Sequence, residues 1–165
     1  MREVLPALLA ALERHEPVAM ATVVRTWRSA PRPAGASMLV TAGGEAVGSV
    51  SGGCVEGALY TLGTEVLEDG VSRYETYGIS DGDAFAVGLT CGGILEVFVE
   101  KVDEETWPEL RGIAASIDAG ELVAVATVVS EGEHRGRHIV VRENGIEGSL
   151  GTSRLDDTVG SDVLG

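Results

Sequence analysis

Two cysteines carry the reactive chemistry of this chain, and both stand among glycines. Cys54 lies in GSVSGGCVEG, Gly48 to Gly57, where an apolar run passes through Ser51-Gly52-Gly53 into a segment read as helix from Cys54 to Glu68. Amide N–H groups in the first turn of a helix have no intrahelical partner. Their partial positive charge favours an anion such as phosphate and lowers the pKa of a thiol placed there. The glycines let a ligand come close to the backbone. Cys91 stands in Thr90-Cys91-Gly92-Gly93, ahead of a strand expected over Ile94 to Glu100. Two thiols at glycine-rich strand ends can meet if the strands are neighbours. The plainer alternative is turn chemistry at the glycines, with each cysteine a small buried hydrophobe.

Other reactive side chains fit less well. A metal site made by protein alone needs two ligands beyond the two cysteines, and no C-x-x-C is present, so metal ligation is left open. His134 and His138 have usable spacing but read as surface residues, and His15 reads as a cation at a helix end. Glu56 and Glu96, near the cysteines in sequence, read as general bases or as solvated or capping carboxylates. The segment around Cys54 lacks both the G-x-G-x-x-G spacing and the lysine of a phosphate-binding loop. Arg25, Arg28 and Arg32 gather at one strand end and the loop after it, where they can hold a ligand phosphate or pair with nearby carboxylates.

The elements that position these residues follow from periodicity. Arg2 to Glu13 repeats leucines at helical spacing, and Val18 to Thr26 runs apolar and β-branched as a buried strand. Arg28 to Gly35, RSAPRPAG, is a constrained loop, because two prolines and a glycine exclude regular structure. Met38 to Thr41 and Ala46 to Val50 flank a hairpin turn. A short strand is expected over Ser72 to Tyr77, a polar loop over Gly78 to Gly88, and a second helix over Glu104 to Ile117.

The pattern then starts again. Glu121 to Val129, ELVAVATVV, matches Glu16 to Val24, EPVAMATVV, at every position except two, and Ile139 to Gly151 parallels Met38 to Gly52. This predicts an internal helix-strand-hairpin duplication with halves at about 2–70 and 104–165. The expected fold is α+β, bordering on α/β, with helices packed on a mixed β-sheet in a single domain over 1–165. Whatever the fold alone requires should appear in both copies. RSAPRPAG and Ser-Gly-Gly-Cys appear only in the first, which points to function. Gly165 falls where the final helix should still be running, so the chain reads as the front part of a longer protein.

Composition narrows the classes. With 165 residues and 44% of them apolar there is material for one ordinary core. The formal charge of −14, with Lys101 the one lysine, excludes the clustered cations that nucleic acid or an anionic membrane surface demands. No apolar run is long enough to span a bilayer, and two cysteines do not make a disulfide framework, so the expected location is the cytoplasm.

SAPRPAGASMLV from Ser29, GSVSGGCVEGAL from Gly48 and GLTCGGILEVFVE from Gly88 resemble the hallmark segments of the XdhC/CoxI family. The resemblance is close from the first strand to Glu100 and looser beyond it. It implies an accessory protein without turnover of its own, a chaperone that binds molybdenum cofactor (molybdopterin) as cargo. Such a chaperone protects the cofactor while its terminal sulfido ligand is installed and helps insert it into a xanthine dehydrogenase-like molybdenum hydroxylase. A cysteine desulfurase and a second copy of the chain are the other partners considered. The resemblance carries Cys54 and Cys91 over as cofactor-binding residues. Gly52, Gly53, Gly92 and Gly93 would form backbone walls and Arg32 a phosphate partner. It also implies a carboxy-terminal Rossmann-like domain, which this chain does not contain. Two rival readings remain: a thiol enzyme or redox protein using Cys54, and a dimerisation module of a larger accessory protein.

Overall fold

Leucine spacing and a proline in the first turn, where no amide donor is needed, give helix α1 (Leu5–Glu13) in the computed structural model, which describes residues 1–78 and 93–165. The described chain divides into two units, Met1–Thr106 and Trp107–Gly165.

In the first unit, α1 is followed by β1 (Val18–Trp27), β2 (Ser37–Thr41), β3 (Ala46–Gly48), α2 (Glu56–Asp69), β4 (Arg73–Tyr77) and β5 (Ile94–Val102). The strands form one sheet in the order β3-β2-β1-β5-β4. β1 is its spine: Val18 pairs with Thr41 of β2 on one side and with Val102 of β5 on the other. The register shifts between Val23 and Arg25, just before the strand enters the proline loop. α2 ends at Gly70 in the left-handed conformation, as Asp69-Gly70 predicts. It packs over β1, β2 and β5, and Val55, Leu59 and Val66 meet Ala19, Ala21, Val23, Met38, Val40, Leu95, Val97 and Val99 in one buried cluster.

In the second unit, α3 (Leu110–Asp118) precedes β6 (Val123–Thr127), β7 (His138–Arg142), β8 (Gly145–Gly148) and α4 (Ser153–Leu164). Its three strands order as β6-β7-β8, and α4 lies on β7. Its core is smaller: Ile139, Val141 and Leu150, with Ala126, Val128 and Val159 against them.

The α+β class stands, but the mixed sheet does not. Every strand pairing among the described residues is antiparallel, and there are two sheets where one is expected. The reason lies in the connections, since hairpins and an intervening helix return each strand beside its neighbour in the opposite direction.

The two units repeat several bonds atom for atom. Val23 N–H donates to Ala36 O and Gly35 N–H to Val23 O; in the second unit Val128 N–H donates to Arg137 O and Gly136 N–H to Val128 O. Thr22 Oγ1 reaches Ser37 Oγ at 3.4 Å, as Thr127 Oγ1 reaches His138 Nδ1 at 2.9 Å. Gly48 and Gly148 end their hairpins at φ +88° and +83°, and a Cβ on either would lie 2.5 Å from a carbonyl, that of Ser37 or His138. Glycine is required there twice, for conformation and for space. Among the described residues no helix is long and apolar enough to cross a membrane.

Candidate functional site

The segment from Ser49 to Val55 folds around one carboxylate. Glu56 Oε1 accepts the Ser49 hydroxyl at 2.7 Å and the N–H groups of Val50 and Ser51 at 3.1 and 2.9 Å. Its Oε2 accepts the Ser51 hydroxyl and the N–H groups of Gly53 and Val55 at 2.8 and 3.2 Å. The remaining amides turn to hydroxyl oxygens, Gly52 N–H to Ser49 Oγ and Cys54 N–H to Ser51 Oγ. Burial opposes the charge on Glu56, but the hydrogen bonds from Ser49 and Ser51 outweigh it and hold the carboxyl at about 2.

Two expectations change as a result. The helix begins at Glu56 with Val55 as its N-cap, so Cys54 precedes the helix and does not occupy its first turn. The amides expected to be open to an external anion are engaged by the protein's own side chains. Of the two roles considered for Glu56, the structure shows the capping carboxylate.

What remains accessible is the tip. Gly52 and Gly53 are exposed at φ +75° and +116°, with no atom within 4 Å of where a side chain would begin. Cys54, next in line, is half-buried and packs against the α2–sheet cluster, as does Ala30 of the proline loop. Ala30 also meets a third segment, because a Cβ on Gly93 would lie 3.1 Å from the Ala30 N and Cα atoms and 3.0 Å from Ser29 O. The proline loop and Gly93 are therefore in backbone contact. Cys91 and Gly92 lie outside the described residues, as does the loop expected before them from residue 79 onward.

The arginines divide among different partners. Arg32 pairs with Glu3 beside the Met1 ammonium, which donates to Gly35 O at 2.7 Å. The Arg32 Nε is buried with no hydrogen-bond partner. A depression of about 380 Å³ lined by Met1, Glu3, Arg32 and Ser37 lies over this contact. Arg25 stacks over Trp27 at 5.5 Å from the ring centroid, and Arg28 is exposed at φ +60°. Glu96 accepts the Tyr74 hydroxyl.

The histidines differ from expectation in one case. His138 is buried, its ring stacked on Trp107 at 4.0 Å and 4°. The sequence suggests a surface position because Trp107, the partner that covers it, is far away along the chain. His134 is half-buried against Gly151, and His15 binds Glu104 at 3.1 Å. Among the described residues no group of three or more His, Cys, Asp or Glu is arranged to hold a metal ion.

A strand-hairpin-helix scaffold that occurs twice and bears an exposed Gly-Gly-Cys tip in only one copy defines a class of duplicated α+β protein whose candidate site belongs to the first unit. Residues 11–78, which include the proline loop and Cys54, match the XdhC and CoxI family. A Bacillus subtilis protein named as a probable xanthine dehydrogenase subunit is 30% identical over 151 residues, covering 90% of this chain and 44% of that protein. The Escherichia coli molybdenum cofactor insertion chaperone PaoD is 34% identical over 101 residues, 61% of this chain and 31% of PaoD. A solved structure described as a xanthine dehydrogenase from Bacillus halodurans superposes with a TM-score of 0.73 at 25% identity, over 90% of this chain and 45% of its own. The chain thus spans less than half the length of each of these proteins.

Proposed function

We propose that this chain serves the maturation of a molybdenum enzyme by receiving molybdenum cofactor as cargo at the tip formed by Gly52, Gly53 and Cys54. The observation that carries the proposal is the contrast between the two copies. Both have the carboxylate-braced turn, but only the first presents exposed glycines followed by a cysteine. A soft thiolate suits molybdenum held by dithiolene sulfur, and bare glycine backbone admits a bulky planar ligand. Cys91, Gly92 and Gly93 belong to the same proposed site, supported by the contact of Gly93 with the proline loop.

The phosphate of the cofactor needs a cation, since Glu56, Ser49 and Ser51 already take the tip amides. Arg32 is the proposed partner; its Nε has a hydrogen-bonding direction to spare, and an incoming phosphate would compete with Glu3 for its guanidinium. Within this reading the client is a xanthine dehydrogenase-like hydroxylase in the cytoplasm, and sulfuration by a cysteine desulfurase precedes delivery. Residues 1–165 act as one functional domain built from two related halves.

Anaerobic titration with molybdenum cofactor tests this. The wild type is expected to bind saturably, and Cys54→Ala or Cys91→Ala to weaken binding by about tenfold, on the order of 1.4 kcal/mol. Equal binding by all three returns the cysteines to a packing role. No binding by any of them ends the chaperone reading.

A further inference from the structure

Glu3, in the segment leading into α1, reaches the proline loop and pairs there with Arg32 through Nη2. The guanidinium offers a second nitrogen on the same edge, Nε, and that atom is buried with no hydrogen-bond partner among the described residues. The carboxylate thus takes half of a fork that binds two oxygens at once when both are offered. The pair is also open to solvent, with the Glu3 side chain 63% and the Arg32 side chain 31% exposed. Its strength is that of a surface ion pair, at most about 1 kcal/mol. The chain beside Glu3 is fixed by contrast. Val4 is buried, and its Cγ1 lies where a Cβ on Gly48 would stand, at the start of the turn that carries Gly52 and Cys54. Leu5 is buried as the first residue of α1. The backbone therefore keeps the carboxylate next to Arg32 although the bond between them is weak.

We infer that Glu3 is an internal competitor for the phosphate of the cargo. It holds Arg32 before cargo arrives, yields when the phosphate takes both Nη2 and Nε, and returns when the cargo leaves. The inference rests on the proposed role of Arg32 as phosphate partner and deepens it. A phosphate prevails over the carboxylate because it carries about −1.5 to −2 charges at neutral pH and presents three acceptor oxygens. Arg2 lines the depression over the pair and adds a second cation that a dianion can use. A competitor fixed in the same chain lowers the apparent affinity by a constant factor, the fraction of molecules in which Arg32 is free. For a surface pair that factor is about two to six. A carrier has to hand its cargo on, and this contact favours release without removing the site. A strut that only steadies the proline loop would act in the opposite sense, since losing it would weaken binding.

Glu3→Gln keeps the size of the side chain and removes its charge. In anaerobic titration it is expected to bind molybdenum cofactor about two- to sixfold more tightly than the wild type. It is expected to show no such gain for the dephosphorylated cofactor, and to lose the gain when combined with Arg32→Ala. Where the wild type binds, equal or weaker binding by Glu3→Gln overturns the inference. So does an equal gain for the dephosphorylated cofactor, or a gain that survives Arg32→Ala, since either marks a general effect of removing negative charge. Inorganic phosphate, followed through the Arg32 Nε–H resonance, gives a readout that needs no cofactor. Half-saturation is expected at about two- to sixfold lower phosphate in Glu3→Gln, and an unchanged midpoint overturns the inference. If neither protein binds the cofactor while phosphate still separates them, the cargo reading fails and the competition at Arg32 stands.

Discussion

Glu56 and Asp156 perform the same structural task in the two copies. Each accepts the hydroxyl of the serine seven residues before it, Ser49 or Ser149, and the N–H of the residue after that serine, Val50 or Leu150. The brace persists where the Gly-Gly-Cys tip does not, so it belongs to the scaffold that the two copies share.

The brace makes stability depend on pH in a defined direction. Glu56 has its folded pKa lowered to about 2 from an ordinary value near 4.5, so its contribution is fully present above that ordinary value. The contribution fades as pH falls through the interval down to about 2. Chemical denaturation from neutral pH downwards is expected to show Glu56→Gln less stable at neutral pH by about 1 kcal/mol or more. The two proteins converge near pH 2. A constant gap across the range would mean that the charge of Glu56 contributes nothing.

The paired glycines give a test of the duplication itself. Gly48→Ala and Gly148→Ala each place a methyl group against a carbonyl oxygen at positive φ. Each is expected to cost about 2 kcal/mol or more. Gly48→Ala carries the added clash with Val4 and is expected to be the worse of the two. Hydrogen exchange should locate the loss in the unit that bears the substitution.

The two tryptophans are predicted to separate in a quenching experiment. Trp27 is 40% exposed and Trp107 2% exposed. Acrylamide should quench one class of emission readily and the other poorly. His138→Ala removes the ring stacked on Trp107 and is expected to alter the protected class alone, with a destabilisation of about 1 to 3 kcal/mol. A single class of emission, or a change in the accessible one, would contradict this placement.

Periodicity carries much of the fold. The strand expected at Val18 to Thr26 runs Val18–Trp27, and the hairpin expected at Met38 to Val50 pairs Ser37–Thr41 with Ala46–Gly48. Boundaries fail where a side chain replaces the helix. The helix expected from Glu104 begins at Leu110, because Asp103 Oδ1 accepts the Glu105 and Thr106 amides in a local turn and Pro108 follows. Residue spacing alone permits Cys54 a place in a helical turn. The signal that the amides there face Glu56 is present in the repeat, where Glu56 aligns with Asp156 and Ser49 with Ser149. The burial of His138 has no local signature, since it depends on a ring brought in from α3's leading segment. Antiparallel pairing of β1 with β5 joins residues far apart in the chain, and no short-range pattern reports it.

Because Glu56 satisfies the turn from within, residues 52 to 54 can be rewritten without dismantling what holds them. The second copy is then a blank of the same mould: a braced turn with Gly151-Thr152-Ser153 where the first has its glycines and thiol. Grafting Gly-Gly-Cys there copies the proposed site: if the tip receives cargo by itself, the grafted protein binds two equivalents where the wild type binds one, and if its neighbours are needed the count stays at one.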